Sequence, residues 1–218
     1  MSFSNDYLKG KEVRRVLHIG ADRAGELRQY KNIGVQEIVW VEANPEIYSE
    51  MLDRLFTLRE LPVRNKPYLQ LISDQDDTFT DFNLYYGPDA GYLVGNKGMS
   101  SILKADPNWW GSKGYKGTLK LPSLTIDTFL ERNKLGFEFD LLNMDTQGAE
   151  LMIARGAHKL LQNVRYINSE VTYKNAQYQD NPLFEEIENH FKEYGFECVS
   201  TDIVDGGDWG DALFERKN

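Results

Sequence analysis

Residues 137–161 read FEFDLLNMDTQGAELMIARGAHKLL, and this stretch decides the fold. Residues 137–144 end in the apolar cluster LLNM and predict a buried strand. Asp145 stands at the end of that run, and Gly148 marks the turn after it. From residue 147 to 161, apolar side chains fall at 149, 152, 153, 157, 160 and 161, the three- and four-residue spacing of one helical face. Strand, turn and helix in this order are the repeating unit of a parallel sheet covered by helices.

The same unit recurs upstream. Residues 13–19 (VRRVLHI) predict a strand that ends in Gly20, with a helix beginning across residues 24–30. Residues 37–41 (EIVWV) predict a second strand, after which Asn44 is placed to cap a helix and Pro45 to occupy its first position, with the helix running to about residue 58. Residues 68–72 (YLQLI) predict a third strand closing at Ser73 and Asp74. A helix is expected over residues 124–133. Downstream, residues 164–167 predict a fifth strand with Glu170 just past it, and residues 183–194 a helix. Residues 196–203 and 209–215 predict closing strands joined through Gly206 and Gly207. The fold class is therefore α/β: a doubly wound, mostly parallel sheet with an antiparallel edge at its C-terminal end.

Residues 74–117 interrupt this alternation. They are rich in Asp, Gly, Asn and aromatic residues and have no long helical period. Residues 79–86 suggest one strand of a hairpin, while residues 99–103 and the pair Trp109, Trp110 suggest a lid over the sheet edge, since loops this long in a compact domain usually serve function. With 218 residues, one domain carrying this insertion is expected. A chain that is 41% hydrophobic and 27% charged suits a globular protein. No apolar run reaches the ~20 residues of a membrane helix, and residues 1–10 lack the apolar stretch of a signal peptide. With a single cysteine, Cys198, which cannot form an intramolecular disulfide, the expected setting is a reducing, cytoplasmic one without membrane contact. The net charge of -9 argues against a nucleic-acid partner and favours a small-molecule or neutral glycan acceptor.

In open α/β sheets, ligands bind beyond the carboxyl ends of the strands, so the polar residues at those ends are the candidates. Gly20 and Gly25 let backbone approach a ligand and leave helix N–H groups for an anion such as the carboxylate of a methionine moiety. Glu42, 22 positions after Gly20, is placed to accept hydrogen bonds from both hydroxyls of a ribose. Glu26 and Leu27 stand where a phosphate-binding loop needs Lys and Ser or Thr, and Asp22 stands at the second glycine of the dinucleotide fingerprint. Phosphoryl transfer and an NAD-dependent oxidoreductase are thereby disfavoured.

If the strands that precede them are neighbours, Asp145 and Glu170 face one cleft, where they could orient an acceptor hydroxyl and take its proton. Each could instead cap a helix, or the two could share a divalent cation, although two carboxylates without a third ligand make a poor metal site. Tyr173, Lys174, Tyr178 and Asp180 form a polar, aromatic segment suited to a hydroxylated ligand, and Trp109 has the double reading of sugar platform or lid anchor. His18, His158 and His190 have no metal-ligand spacing; His18, two residues before the glycine turn, is positioned to touch a cofactor.

With these residues in place, the chain resembles the FkbM family of methyltransferases from Val16 to its C-terminus. The likeness is carried by VLHIGADRAGE (16–26), WVEANPE (40–46), LPSLTIDTFL (121–130) with FDLLNMDTQGAELMIARGAHKLL (139–161), and INSEVTY (167–173) with DWGDALF (208–214). The resemblance implies a seven-stranded class I methyltransferase sheet, S-adenosylmethionine as donor, and methylation of an oxygen, commonly a hydroxyl of a sugar or secondary metabolite. It places Gly20, Ala21 and Asp22 along the methionine end of the cofactor and Glu42, with Ala43 beside it, at the ribose. It also places Ser73 and Asp74 near adenine, the pair Ser100 and Ser101 along the cofactor cleft, and Asp145 and Glu170 at the active edge. The family often has Asp, Asn and Glu where this chain has His18, Asp22 and Gln147. A non-catalytic module that keeps the nucleotide cleft is the competing reading.

Overall fold

The computed structural model describes residues 5–59, 61–87, 97–204 and 206–217. The apolar runs become the centre of a seven-stranded sheet. In spatial order its strands are β3 (Arg64–Leu69), β2 (Glu37–Glu42), β1 (Arg15–Ile19), β7 (Leu141–Met144), β8 (Tyr166–Thr172), β10 (Trp209–Arg216) and β9 (Phe196–Ile203). The first five are mutually parallel, and β10 runs antiparallel to both β8 and β9.

Both faces of the central strands are covered. Leu17 and Ile19 of β1 pack in one apolar cluster with α4 (Ile126–Arg132), α5 (Glu150–Arg155), α6 (His158–Asn163) and α7 (Phe184–Glu193). Val16, one residue before Leu17 and so on the opposite face, packs in the other with α1 (Asn5–Leu8), α2 (Leu27–Asn32) and α3 (Pro45–Thr57). Burial on two sides is what makes these strands continuous in hydrophobicity. The helix after β2 forms as its sequence signals: Asn44 Oδ1 accepts from the Glu46 N–H at 3.0 Å, with Pro45 in the first turn. Among the described residues no helix is long and apolar enough to cross a membrane.

Four local expectations change. The strand expected at residues 68–72 is split: residues 64–69 join the main sheet, and after Gln70 the chain crosses to β4 (Leu71–Ile72) of a second sheet. There β4 lies parallel to β6 (Tyr115–Leu124), which pairs on its other side with the expected hairpin strand, β5 (Thr78–Tyr85). The helix expected from residue 124 begins at Ile126, after Thr125 accepts from Thr128 N–H at 3.2 Å. Residues 115–124 form β6, whose exposed alternation of Lys116, Thr118 and Lys120 runs on to Pro122, a residue that weakens any strand signal. Pro122 lies beyond the reach of β4, which pairs only with Ser123 and Leu124.

The helix expected across residues 147–161 is broken at Gly156. A Cβ at Gly156 would lie 2.9 Å from Ser73 O and 3.0 Å from Thr125 Cβ, so the chain turns there against its neighbours. Asp127 supports the restart, its carboxylate accepting from Lys159 N–H at 2.7 Å and Leu160 N–H at 3.1 Å. Lastly, β8 continues to Thr172, so Glu170 lies within the strand and not past it. Of the expected lid, residues 88–96 and the Trp110 side chain lie outside the described residues.

Candidate active site

The chain leaves β1 for β2 and β3, then returns across the sheet to β7, so strand order reverses between β1 and β7. Beyond the carboxyl ends of these strands lies a cleft of about 570 Å³, a volume within the ~300–1,000 Å³ range of small-molecule sites. Its floor is knit by backbone: Gly20 N–H and Ala21 N–H both donate to Val41 O, and Asp145 N–H donates to Ile19 O. Gly20 is required here. Its φ is +77°, and a Cβ would stand 1.8 Å from Asp145 O, so β1 and β7 touch only because this residue has no side chain.

Glu42, at the end of β2, is 6% exposed. One carboxylate oxygen accepts from Asp22 N–H at 2.9 Å, the other from Asn44 N–H at 2.7 Å. Burial nevertheless dominates and raises its pKa to about 7. Ala43 and Asp22 line the cleft beside it. Along the rim, Lys97 reaches Glu46 and Glu50 of α3, at 2.9 Å each, and those two bonds lift its pKa to about 12.

Met144 of β7 pairs with Ser169 of β8, which sets the next residues, Asp145 and Glu170, side by side at the other end of the cleft. Burial, and then the neighbouring acids, raise both carboxyls well above their ordinary values. Gln147 lies between them: its Nε2 donates to Asp145 Oδ1 and to Glu170 Oε2, both at 2.9 Å. Glu150, at the start of α5, accepts from Thr146 N–H at 2.7 Å and is also raised, chiefly by burial.

The structure thus brings Gly20, Asp22, Glu42, Ala43, Ser100, Trp109, Asp145 and Glu170 to one cleft. Others among the expected residues lie elsewhere. His18 is 2% exposed on the α2 face of the sheet, behind the cleft. Asn143 Nδ2 donates to His18 Nε2 at 3.0 Å, so Nε2 is the acceptor and Nδ1, 3.1 Å from the Tyr30 hydroxyl, bears the proton. Burial lowers this imidazole's pKa to about 3, keeping it neutral. Ala21 is fully buried, and Ser73 is buried with its hydroxyl donating to Gln75 O at 3.1 Å. Asp74 is exposed and does not line the cleft. Ser101 is buried beneath the floor, its Oγ donating to Gln147 O at 2.8 Å. Tyr173 stacks on Phe184 at 5.1 Å, and Lys174 is exposed, 3.9 Å from Asp208. Tyr178 is buried, with its hydroxyl 2.6 Å from Met99 O and 3.2 Å from Gln147 Oε1.

The sequence reading did not single out Glu26, Gln70, Lys97, Gln177 and Trp209 as cleft residues, and noted Gln147 only as a departure. Gln147 carried a signal: it precedes Gly148, and the two take φ values of +58° and +94°, a paired left-handed turn. Gln177, from the segment after β8, and Trp209, the first residue of β10, arrive from far along the chain and carry none.

This reversal of strand order, the 3-2-1-4-5-7-6 pattern in order of the sheet's own strands, is the architecture of class I S-adenosylmethionine-dependent methyltransferases. The methyltransferase FkbM domain family matches residues 18–198, and the chain belongs to it. It is an S-adenosylmethionine-dependent methyltransferase. No curated protein matches it in sequence. Solved structures that share the fold include TrmK of M. capricolum in complex with S-adenosyl-homocysteine, at 9% identity and TM-score 0.54, covering 100% of this chain and 70% of that one. Streptococcus pneumoniae Sp1610 in complex with S-adenosyl-L-methionine has 12% identity and TM-score 0.52, with 100% and 74% covered. An O-methyltransferase from Bacillus cereus in complex with S-adenosyl-homocysteine has 11% identity and TM-score 0.52, with 98% and 80% covered. The residues present fit the cofactor: a side-chain-free tip at Gly20 admits close approach, and Glu42 offers a buried carboxylate at the cleft wall.

Proposed function

We propose that the protein transfers a methyl group to a hydroxyl oxygen of a sugar, glycan or related small molecule. The observation that carries this reading is the pair Asp145 and Glu170, adjacent at the end of the cleft and joined by one amide. S-adenosylmethionine, when bound, supplies an electrophilic sulfonium methyl group. The chain's own tasks are then to hold the acceptor oxygen in line and to remove its proton. Glu42 holds the ribose hydroxyls, with Gly20, Asp22 and Ser100 along the rest of the cofactor. One of Asp145 and Glu170 accepts the hydroxyl proton while the other orients the acceptor. Of the inserted stretch, residues 97–114 act as a lid, with Trp109 facing the acceptor, and a single cysteine suits a cytoplasmic setting.

The test is release of S-adenosylhomocysteine over a panel of monosaccharides, oligosaccharides and polyols. Glu170→Gln or Asp145→Asn should lower turnover about 10²–10⁴-fold with S-adenosylhomocysteine affinity kept. Failure of every hydroxylated acceptor, or full turnover in both variants, would overturn the proposal.

A further inference from the structure

Gln147 is held in an unfavourable backbone conformation by contacts from three parts of the chain. At φ +58° the Cβ of an L-residue crowds the neighbouring carbonyl oxygen, which disfavours this conformation against the right-handed region. Gly148 follows in the left-handed region, and a Cβ there would lie 2.2 Å from Asn181 Oδ1. Ser101 Oγ donates to the Gln147 carbonyl, and the Tyr178 hydroxyl, whose shorter bond goes to Met99 O, packs 3.2 Å from its side-chain oxygen. With the backbone held in this turn, the two hydrogens of Nε2 point one to each acid.

Two carboxylates on adjacent strands ordinarily repel, and one of them keeps a proton. The other acids facing this pair make that worse: Glu26 before α2, Glu150 on α5 and Asp211 on β10 raise its carboxyls further, and the neighbouring Tyr178 carries no positive charge. The adjacent Asp145 carboxyl raises that of Glu170 further, which favours one proton held between the two. Against this, the Gln147 amide donates to both and favours the anionic forms without neutralising them as a lysine would.

We propose that Gln147 is a positioning residue of the methyltransferase: it fixes Asp145 and Glu170 in one arrangement, with one oxygen of each engaged, and keeps the pair able to accept a proton from the substrate. The catalytic half of this inference rests on the role given to the acid pair above, whereas the structural half does not.

The test is therefore made without an acceptor, by carboxyl ¹³C NMR titration of the full chain, labelled at Asp and Glu and loaded with S-adenosylhomocysteine. Wild type, Gln147→Met and Gln147→Glu are compared. Loss of charge-assisted hydrogen bonds in Gln147→Met should raise the midpoints of the Asp145 and Glu170 titration by about one to two pH units. Gln147→Glu, which places a third carboxyl between them, should raise them at least as far and gives the same reading should the Met variant not fold. S-adenosylhomocysteine affinity should stay within about threefold, and with any acceptor found, the rising limb of kcat/KM should move by the same interval. Midpoints that stay in place in a folded variant, or a rate loss equal at every pH, would overturn the role of Gln147. Shifted midpoints with no hydroxyl acceptor methylated would leave this inference standing and refute the proposed reaction instead.

Discussion

Replacing Gly20 by alanine tests the idea that the cleft exists because two strand tips touch. The added methyl group would stand 1.8 Å from Asp145 O and 2.7 Å from its carbonyl carbon, where carbon contacts are comfortable only near 3.5 Å. The tips of β1 and β7 must part, which stretches the bonds from Asp145 N–H to Ile19 O and from Gly20 N–H to Val41 O. Alanine at a φ of +77° adds a conformational cost of roughly 1–2 kcal/mol, and weakening two hydrogen bonds about 1 kcal/mol each. The sum is about 3–4 kcal/mol, which for a domain of this size lowers Tm by roughly 6–16 °C. Because the same tips line the cleft proposed to hold the cofactor, S-adenosylhomocysteine affinity should fall at least about tenfold, which is about 1.4 kcal/mol. Gly25→Ala is the internal control: a Cβ there meets nothing within 4 Å, and its φ is not positive. It should change stability by less than about 0.5 kcal/mol. Thermal unfolding and calorimetric titration of both variants decide the matter. A Gly20→Ala protein that melts with the wild type, or a Gly25→Ala protein equally damaged, would refute the reasoning.

Glu42 makes stability depend on pH in a direction opposite to that of an ion-paired acid. Its native pKa of about 7 exceeds its unfolded value of 4.5, so between these values the native state holds the extra proton. Its contribution is complete below the unfolded pKa and is lost as pH rises through the folded one, by at most about 3 kcal/mol. Urea unfolding of wild type and Glu42→Gln across that window should show a steeper decline in the wild type, and equal slopes would refute it. Asp127→Ala should remove the support for the restart of α6 and cost about 0.5–2 kcal/mol, or roughly 1–8 °C in Tm. No loss in thermal unfolding would mean that the break at Gly156 stands without it.

The sequence by itself determined the sheet and the kind of residue at its edge. Strands such as β1, β2 and β7 are buried on both sides, so their apolar runs are visible without any knowledge of their partners. Gly20, Asn44 with Pro45, and Asp145 mark strand and helix ends by local chemistry that one chain segment decides alone. Tertiary structure decided the rest, because those features depend on residues far along the chain. The helix after β7 breaks where Ser73, Thr125 and Asp127 meet it, and β6 is a strand because β4 and β5 flank it, despite its exposed face and Pro122. His18 has the position of a cofactor contact in the sequence, yet the alternation of β1 turns it to the opposite face, onto Asn143 and Tyr30. The lining of the cleft by Gln147, Gln177 and Trp209 is likewise a meeting of segments that share no local pattern. Burial and turn geometry are written in neighbouring residues, whereas the convergence of distant ones is fixed only when the sheet and its helices pack.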